Sequence, residues 1–222
     1  RKAREETPGL TRADWQRRAL TRLIAAIKRK VSEVRPHAKV SAAVTGIYRD
    51  RWGWGGVTQG YVDFYQDSRA WARQQAVDVL VPMIYWKPTR PPGGRADFCT
   101  LVEDVLEVQE QVQLLVGINV EAGGFPALAE EIRIVREHGC DGMVLFAYAA
   151  LRDREWFDPL RRTVFKQPAT PPGPRPDPAA KPVGWRRVGH LLVQGLVAAL
   201  SPVRGSRRSR SSPGCWCRRR TR

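Results

Sequence analysis

Along this chain apolar positions recur in two rhythms, one helical and one strand-like, and the two take turns. From Thr11 the spacing is helical, with apolar side chains at Leu20, Leu23, Ile24, Ile27, Val31 and Val34 and with Thr11 and Asp14 in the N-cap and N3 places. That stripe needs a surface to cover, and Pro36 ends it. The short β-branched run 40–45, followed by Gly46, suits a strand better than a helix. After a long loop, Tyr61, Phe64, Tyr65, Ser68, Trp71 and Ala72 return to helical spacing. Residues 77–84 are then nearly continuous in apolar character, which predicts a strand buried on both faces.

The alternation repeats twice more. A helix is expected over 97–112, with Phe98, Leu101, Val102 and Val105 on its apolar side, and a strand over 114–120. A helix over 125–138 follows, carrying Leu128, Ile132 and Val135, with Gly139 as its C-terminal stop. A strand over 143–148 and a last helix over 156–165 complete the pattern. Strands that alternate with helices imply parallel βαβ units, because parallel neighbours need a crossover and the helix supplies it. The expected class is therefore α/β.

Charge divides the chain. Of the 222 residues 42% are apolar, enough for one sizeable core, and the formal charge is +16. Residues 1–166 account for +5 of that charge and residues 167–222 for +11, and nine of the 17 prolines also fall after residue 166. The expected organisation is a folded part over 1–166, a Pro-rich linker over 167–183 and a disordered Arg-rich tail over 184–222. An apolar patch over 188–200 is interrupted by Gly189, His190, Gln194 and Gly195, and is shorter than the ~20 residues that cross a bilayer, so no transmembrane span is expected. Arg204, Arg207, Arg208, Arg210 and the triplet at 218–220 can attract phosphates by counterion release. No aromatic residues interleave with them in the manner of a nucleic-acid surface, and nucleic acid stays a minor alternative as a partner. Four cysteines are too sparse for a disulfide scaffold, and Cys215 and Cys217 lack a second pair at zinc spacing, so no metal site is expected.

Loop lengths say where chemistry belongs. Helix-to-strand connections are tight and strand-to-helix connections longer, so the carboxyl ends of the strands are the decorated side, which carries binding sites in barrels and doubly wound sheets alike. Gathered there are Tyr48, Arg49, Asp50, Trp52 and Trp54 after the first strand, Tyr85 and Trp86 after the second, Glu121 after the third and Tyr148 after the fourth. Neither the glycines at 53, 55 and 56 nor Gly93 and Gly94 have the spacing of a phosphate cradle, so a nucleotide site is not expected. Arg49 and Asp50 can orient hydroxyl groups or pair with each other, and the residues alone leave both open. Asp67 is read as a helix cap or ion-pair partner, and His37 and His138 as lying on the opposite, stabilising end.

The stretch 56–86, GVTQGYVDFYQDSRAWARQQAVDVLVPMIYW, resembles the glycosyl-hydrolase-like 10 family, a (β/α)8 barrel with a similar run of tyrosines, a QDSR-W helix and a strand ending in P-IYW. VSAAVTGIYR before it, and LLVGINVEA and GMVLFAYAAL after it, stand where that family has its fifth, seventh and eighth strands. The resemblance implies the C-terminal part, about four βα units, of a TIM barrel that typically needs ~250 residues. It also implies that the missing N-terminal half of the barrel, with an acidic motif of the type D-G-I-H-x-D on its fourth strand, is a required partner.

What the resemblance implies for function is hydrolysis of a polysaccharide, bacterial cell-wall glycan, outside the cytoplasm. Such cleavage needs two facing carboxyl groups and no metal or organic cofactor. Glu121 is the visible candidate for one of them, the plain alternative being an exposed Glu favoured near the start of a helix. Tyr85, Trp86, Trp52, Trp54 and Tyr148 are candidates for stacking on sugar faces, against the alternative that strand-end aromatics plug the barrel or pack the loop. A non-catalytic carbohydrate-binding or vestigial half-barrel is the alternative this pattern allows. An isolated piece of this kind is expected to be poorly stable and to self-associate.

Overall fold

The computed structural model describes residues 9–88 and 95–167. The linker and tail expected after residue 167 lie outside them, as do Gly93, Gly94, His190, Cys215 and Cys217. The element order is α1 (Arg12–Val34), β1 (Ser41–Thr45), α2 (Gly60–Asp63), α3 (Ser68–Arg73), β2 (Val79–Ile84), α4 (Phe98–Val105), β3 (Gln113–Asn119), α5 (Phe125–Glu137), β4 (Gly142–Phe146), α6 (Tyr148–Asp153) and α7 (Phe157–Thr163). The four strands form one sheet in the order β1-β2-β3-β4, and every neighbouring pair is parallel. An all-parallel sheet whose strands follow chain order, with helices as crossovers, is compatible with part of a TIM barrel.

Helix α1 starts as its sequence dictates. Thr11 Oγ1 accepts the Asp14 backbone N–H at 3.1 Å and donates to the Asp14 carboxylate at 2.6 Å, closing the first turn. The apolar stripe is wider than its seat, however. Leu20 and Ile24 pack against buried residues of the sheet and α3, whereas Leu23, Ile27 and Val34 remain 55%, 44% and 64% exposed.

The run expected as one helix from Tyr61 to Ala72 is two short ones. Between them Tyr65 takes a left-handed φ of 57°, and the Gln66 side chain turns back so that its carbonyl oxygen accepts both the Thr45 N–H and the Thr45 hydroxyl, at 3.0 and 3.1 Å. Asp67 then accepts the Ala70 N–H at 3.1 Å and caps α3. The helix expected over 97–112 leaves α-geometry at Val105 and tightens into a 3-10 turn, Leu106–Val108. The strand expected over 143–148 stops at Phe146, and Tyr148 opens α6.

One face of the sheet holds the core. Val44 of β1, Leu80, Pro82 and Ile84 of β2, and Leu114, Val116 and Ile118 of β3 are buried beneath the helices. Each such aliphatic side chain contributes roughly 1.5–3 kcal/mol. The alternate positions form the second face, and among the described residues no helix covers it. Ala43, Val144 and Phe146 are exposed there, and Val81, Met83 and Leu115 are partly so. The expectation that 77–84 is buried on both faces holds in part: no position of β2 is exposed, and on the second face Val79 is buried while Val81 and Met83 are only partly so. Gly46 lets β1 meet β2 closely, since a Cβ there would lie 2.4 Å from the Met83 carbonyl oxygen.

Aspartates fasten the amino ends of the strands. Asp78, just before β2, accepts the Val40 N–H at 2.8 Å and the Lys28 ammonium at 2.8 Å, tying α1, β1 and β2 together. Asp141, just before β4, accepts the Leu114 N–H of β3 at 2.8 Å in the same way. No helix among the described residues is long and apolar enough to cross a membrane.

Candidate functional site

Strand register decides which rim residues share a face. Thr45 pairs with Met83, Met83 with Gly117, and Asn119 with Phe146, so Tyr85, Asn119 and Phe146 stand at one level on the helix-free face. The Tyr85 and Phe146 rings stack across Asn119, with centroids 6.1 Å apart and planes inclined by 21°. Partial burial pushes the Tyr85 hydroxyl above its ordinary range, keeping it a neutral donor.

Asn119 Oδ1 accepts the Glu121 N–H at 2.9 Å, which folds the chain back at the end of β3 and leaves the Asn119 amide nitrogen free to donate. Glu121 itself sits in that turn, exposed, with no side-chain partner among the described residues.

The loop after β1 is built around a carboxylate. Asp50 accepts the N–H groups of Trp52, Trp54 and Gly55 at 3.2, 3.1 and 2.9 Å, and its own N–H donates to Gln59 Oε1 at 2.8 Å. The backbone N–H of Gly55 is the first cause that holds the Asp50 carboxyl below its usual range. Held this way, Trp52 and Trp54 stack with ring centroids 4.3 Å apart and pack against the buried cluster that includes Ile47, Ile84 and Phe98. Trp86 also packs, half-buried, against that cluster.

Arg49 does not pair with Asp50 among the described residues; its guanidinium lies over the Tyr61 ring at 3.6 Å. Tyr148 is 67% exposed and leans on Phe157, with centroids 5.3 Å apart. The eight candidates therefore divide. Tyr85 and Glu121 stand at the carboxyl ends of β2 and β3, Tyr148 opens the helix after β4, Trp52, Trp54 and Trp86 lie half in the core, Asp50 holds its loop, and Arg49 stacks on Tyr61.

Two further rim residues were not singled out from the chain, Asn119 and Phe146. The signal for Asn119 was an amide closing an otherwise apolar strand; Phe146 read only as one more apolar residue. Among the histidines, His37 is exposed beyond α1, and His138 is buried at the end of α5, where its Nδ1 meets the Ile134 carbonyl at 2.8 Å. No cluster of metal-ligating side chains occurs among the described residues.

A parallel βα sheet with rings and an amide at the carboxyl ends of its strands is an α/β fold compatible with part of a TIM barrel. A model of the glycosyl hydrolase-like 10 family matches residues 2–131, and the chain belongs to that family. It is similar to glycosyl hydrolase DigH of Escherichia coli strain K12, with 27% identity over 125 residues, 54% of this chain and 28% of DigH. DigH of Shigella flexneri matches to the same extent. Glycosyl hydrolase YngK of Bacillus subtilis strain 168 is 28% identical over 79 residues, which cover 33% of this chain and 16% of YngK. The match thus spans well under a third of the length of each of these relatives.

Proposed function

We propose that this chain is the C-terminal portion of a glycoside hydrolase domain that cleaves a polysaccharide, with bacterial cell-wall glycan as the substrate class. The observation that carries the reading is the rim of the helix-free face in a chain of this family: Tyr85 and Phe146 stacked across Asn119, with Glu121 in the next turn. In the proposed complex the rings supply apolar surface for a pyranose, while the Tyr85 hydroxyl and the Asn119 amide donate to its hydroxyl groups. Trp52, Trp54 and Trp86 shape the wall beside it, Asp50 holds that wall closed, and Arg49 and Tyr148 border the cleft.

Glycosidic cleavage requires a proton for the leaving oxygen and a carboxylate facing the oxocarbenium-like centre. Glu121 supplies one carboxylate. Asp50 is spent on three backbone N–H groups, so the second carboxyl group is assigned to a strand that precedes these four in the full barrel. No cofactor enters this scheme. The test is Glu121→Gln in the longest natural form of the polypeptide, assayed on glycan strands for new reducing ends. Cleavage is expected to fall by ~10²-fold or more, and cleavage at the parental rate would remove Glu121 from the mechanism.

A second reading, a carbohydrate-binding barrel portion without cleavage, is favoured by the commitment of Asp50 to its own loop. It predicts glycan retention by the parental protein with no reducing ends formed, and equal retention by Glu121→Gln.

A further inference from the structure

Beside the rim, on the side of α2 and α3, arginines and tyrosines alternate in one stack. Arg17 lies over the Tyr61 ring at 4.0 Å and Arg49 lies over it at 3.6 Å, so Tyr61 sits between two guanidinium groups. Tyr61 meets Tyr48 edge to face, with centroids 5.3 Å apart, and Arg69 lies over Tyr48 at 4.6 Å. Two of the layers are also held by hydrogen bonds. Arg17 donates to Asp14 at 2.7 Å and to the Tyr61 carbonyl at 3.1 Å, and the Tyr48 hydroxyl donates to Asp67 at 2.8 Å.

The stack borders an open cleft of about 450 Å³ lined by Tyr48, Arg49, Arg51, Tyr61, Asp67, Arg69 and Arg73. Its charges are unevenly answered. Arg51 and Arg69 are both neutralised from below by the buried Asp104, at 2.6 and 2.9 Å, and by Glu107. Asp67, the carboxylate in the lining, already accepts from the Tyr48 hydroxyl and the Ala70 N–H. Arg49 and Arg73 have no carboxylate partner among the described residues.

We propose that this cleft is an oxyanion-binding site that takes a carboxylate or phosphate group between Arg49 and Arg73. A guanidinium stacked flat on a tyrosine keeps its N–H edge available, and that planar edge matches the two oxygens of a carboxylate or phosphate. Stacking on Tyr61 fixes Arg49 before the anion arrives, so little side-chain freedom is lost on binding. The site shares Arg49 with the border of the proposed sugar cleft but selects a charged substituent rather than a sugar face, and the glycan reading can fail without affecting it.

The experiment is calorimetric titration of the full 222-residue chain at low salt with inorganic phosphate, with a glucuronate oligosaccharide, and with the same oligosaccharide reduced to its neutral alcohol. Phosphate or glucuronate is expected to bind with an affinity that falls as salt is raised, and the neutral oligosaccharide is expected to bind at least tenfold more weakly than the glucuronate form. Arg49→Ala and Arg73→Gln should each weaken the anion about tenfold (~1.4 kcal/mol), and Arg49→Lys, which keeps charge but loses the planar fork, should fall between. Binding of phosphate but not of glucuronate would identify phosphate as the group recognised; the reverse would identify a sugar carboxylate. Absence of binding by both anions overturns the site. So does equal binding by Arg73→Gln and the parental chain, a comparison that leaves the Tyr61 stack intact.

Discussion

Glu131 lies on α5 with 4% of its surface exposed. Burial pushes its carboxyl up to about 7 from an ordinary 4.5, while the Lys87 ammonium pulls the other way. A carboxyl raised in the folded state holds its proton longer folded than unfolded. Below pH 4.5 the group therefore costs nothing; between 4.5 and about 7 stability falls as pH rises, and above that the loss is complete. The full cost is roughly 3 kcal/mol. Glu131→Gln should remove this slope, so that urea unfolding at pH 5 and pH 8 shows the variant gaining on the parental chain by about that amount at the higher pH. A stability difference that is the same at both values would place the carboxyl in water.

At the scale of elements, the aspartates before β2 and β4 do the same work twice. Asp78→Ala leaves the Val40 N–H and the Lys28 ammonium without their acceptor, and a part-buried donor left unpaired costs about 1–3 kcal/mol. Asp78→Asn keeps an acceptor for Val40 and should lose about half as much, read as the shift in denaturant midpoint. Asp78 and Asp141 were not singled out in the chain, whereas the α/β alternation and the caps at Thr11 and Asp67 are local matters of residue type and were legible; they lie where spacing put them. What spacing did not show depends on contacts between distant segments. The 61–72 run breaks because Gln66 reaches back to Thr45, a partner twenty-one residues away in sequence. Phe146 was hidden because both faces of these parallel strands are apolar in composition, so alternation does not separate a core residue from a rim residue. Arg49 was seen as a rim residue, but the ring on which it lies is brought in by α2.

For the molecule as a whole, the helix-free face decides behaviour in solution. Val144 is 39% exposed and Phe146 58%, next to Tyr148 and Phe157, along a strand at the edge of the described sheet. An apolar strip beside unpaired strand backbone favours association. The 222-residue chain on its own is expected to sediment as a dimer or larger at micromolar concentration, and Val144→Lys with Phe146→Glu to shift it towards the monomer. A compact monomer before substitution would show that this face is covered.

The two ends of the sheet answer to different demands. Asp78 and Asp141 settle strand alignment at the amino ends, so the turns at the opposite ends are relieved of that duty. Insertions, deletions and exchanges of residues in those turns can then accumulate over evolutionary time without shifting one strand against the next, and a lineage can try new specificities while inheriting the same frame.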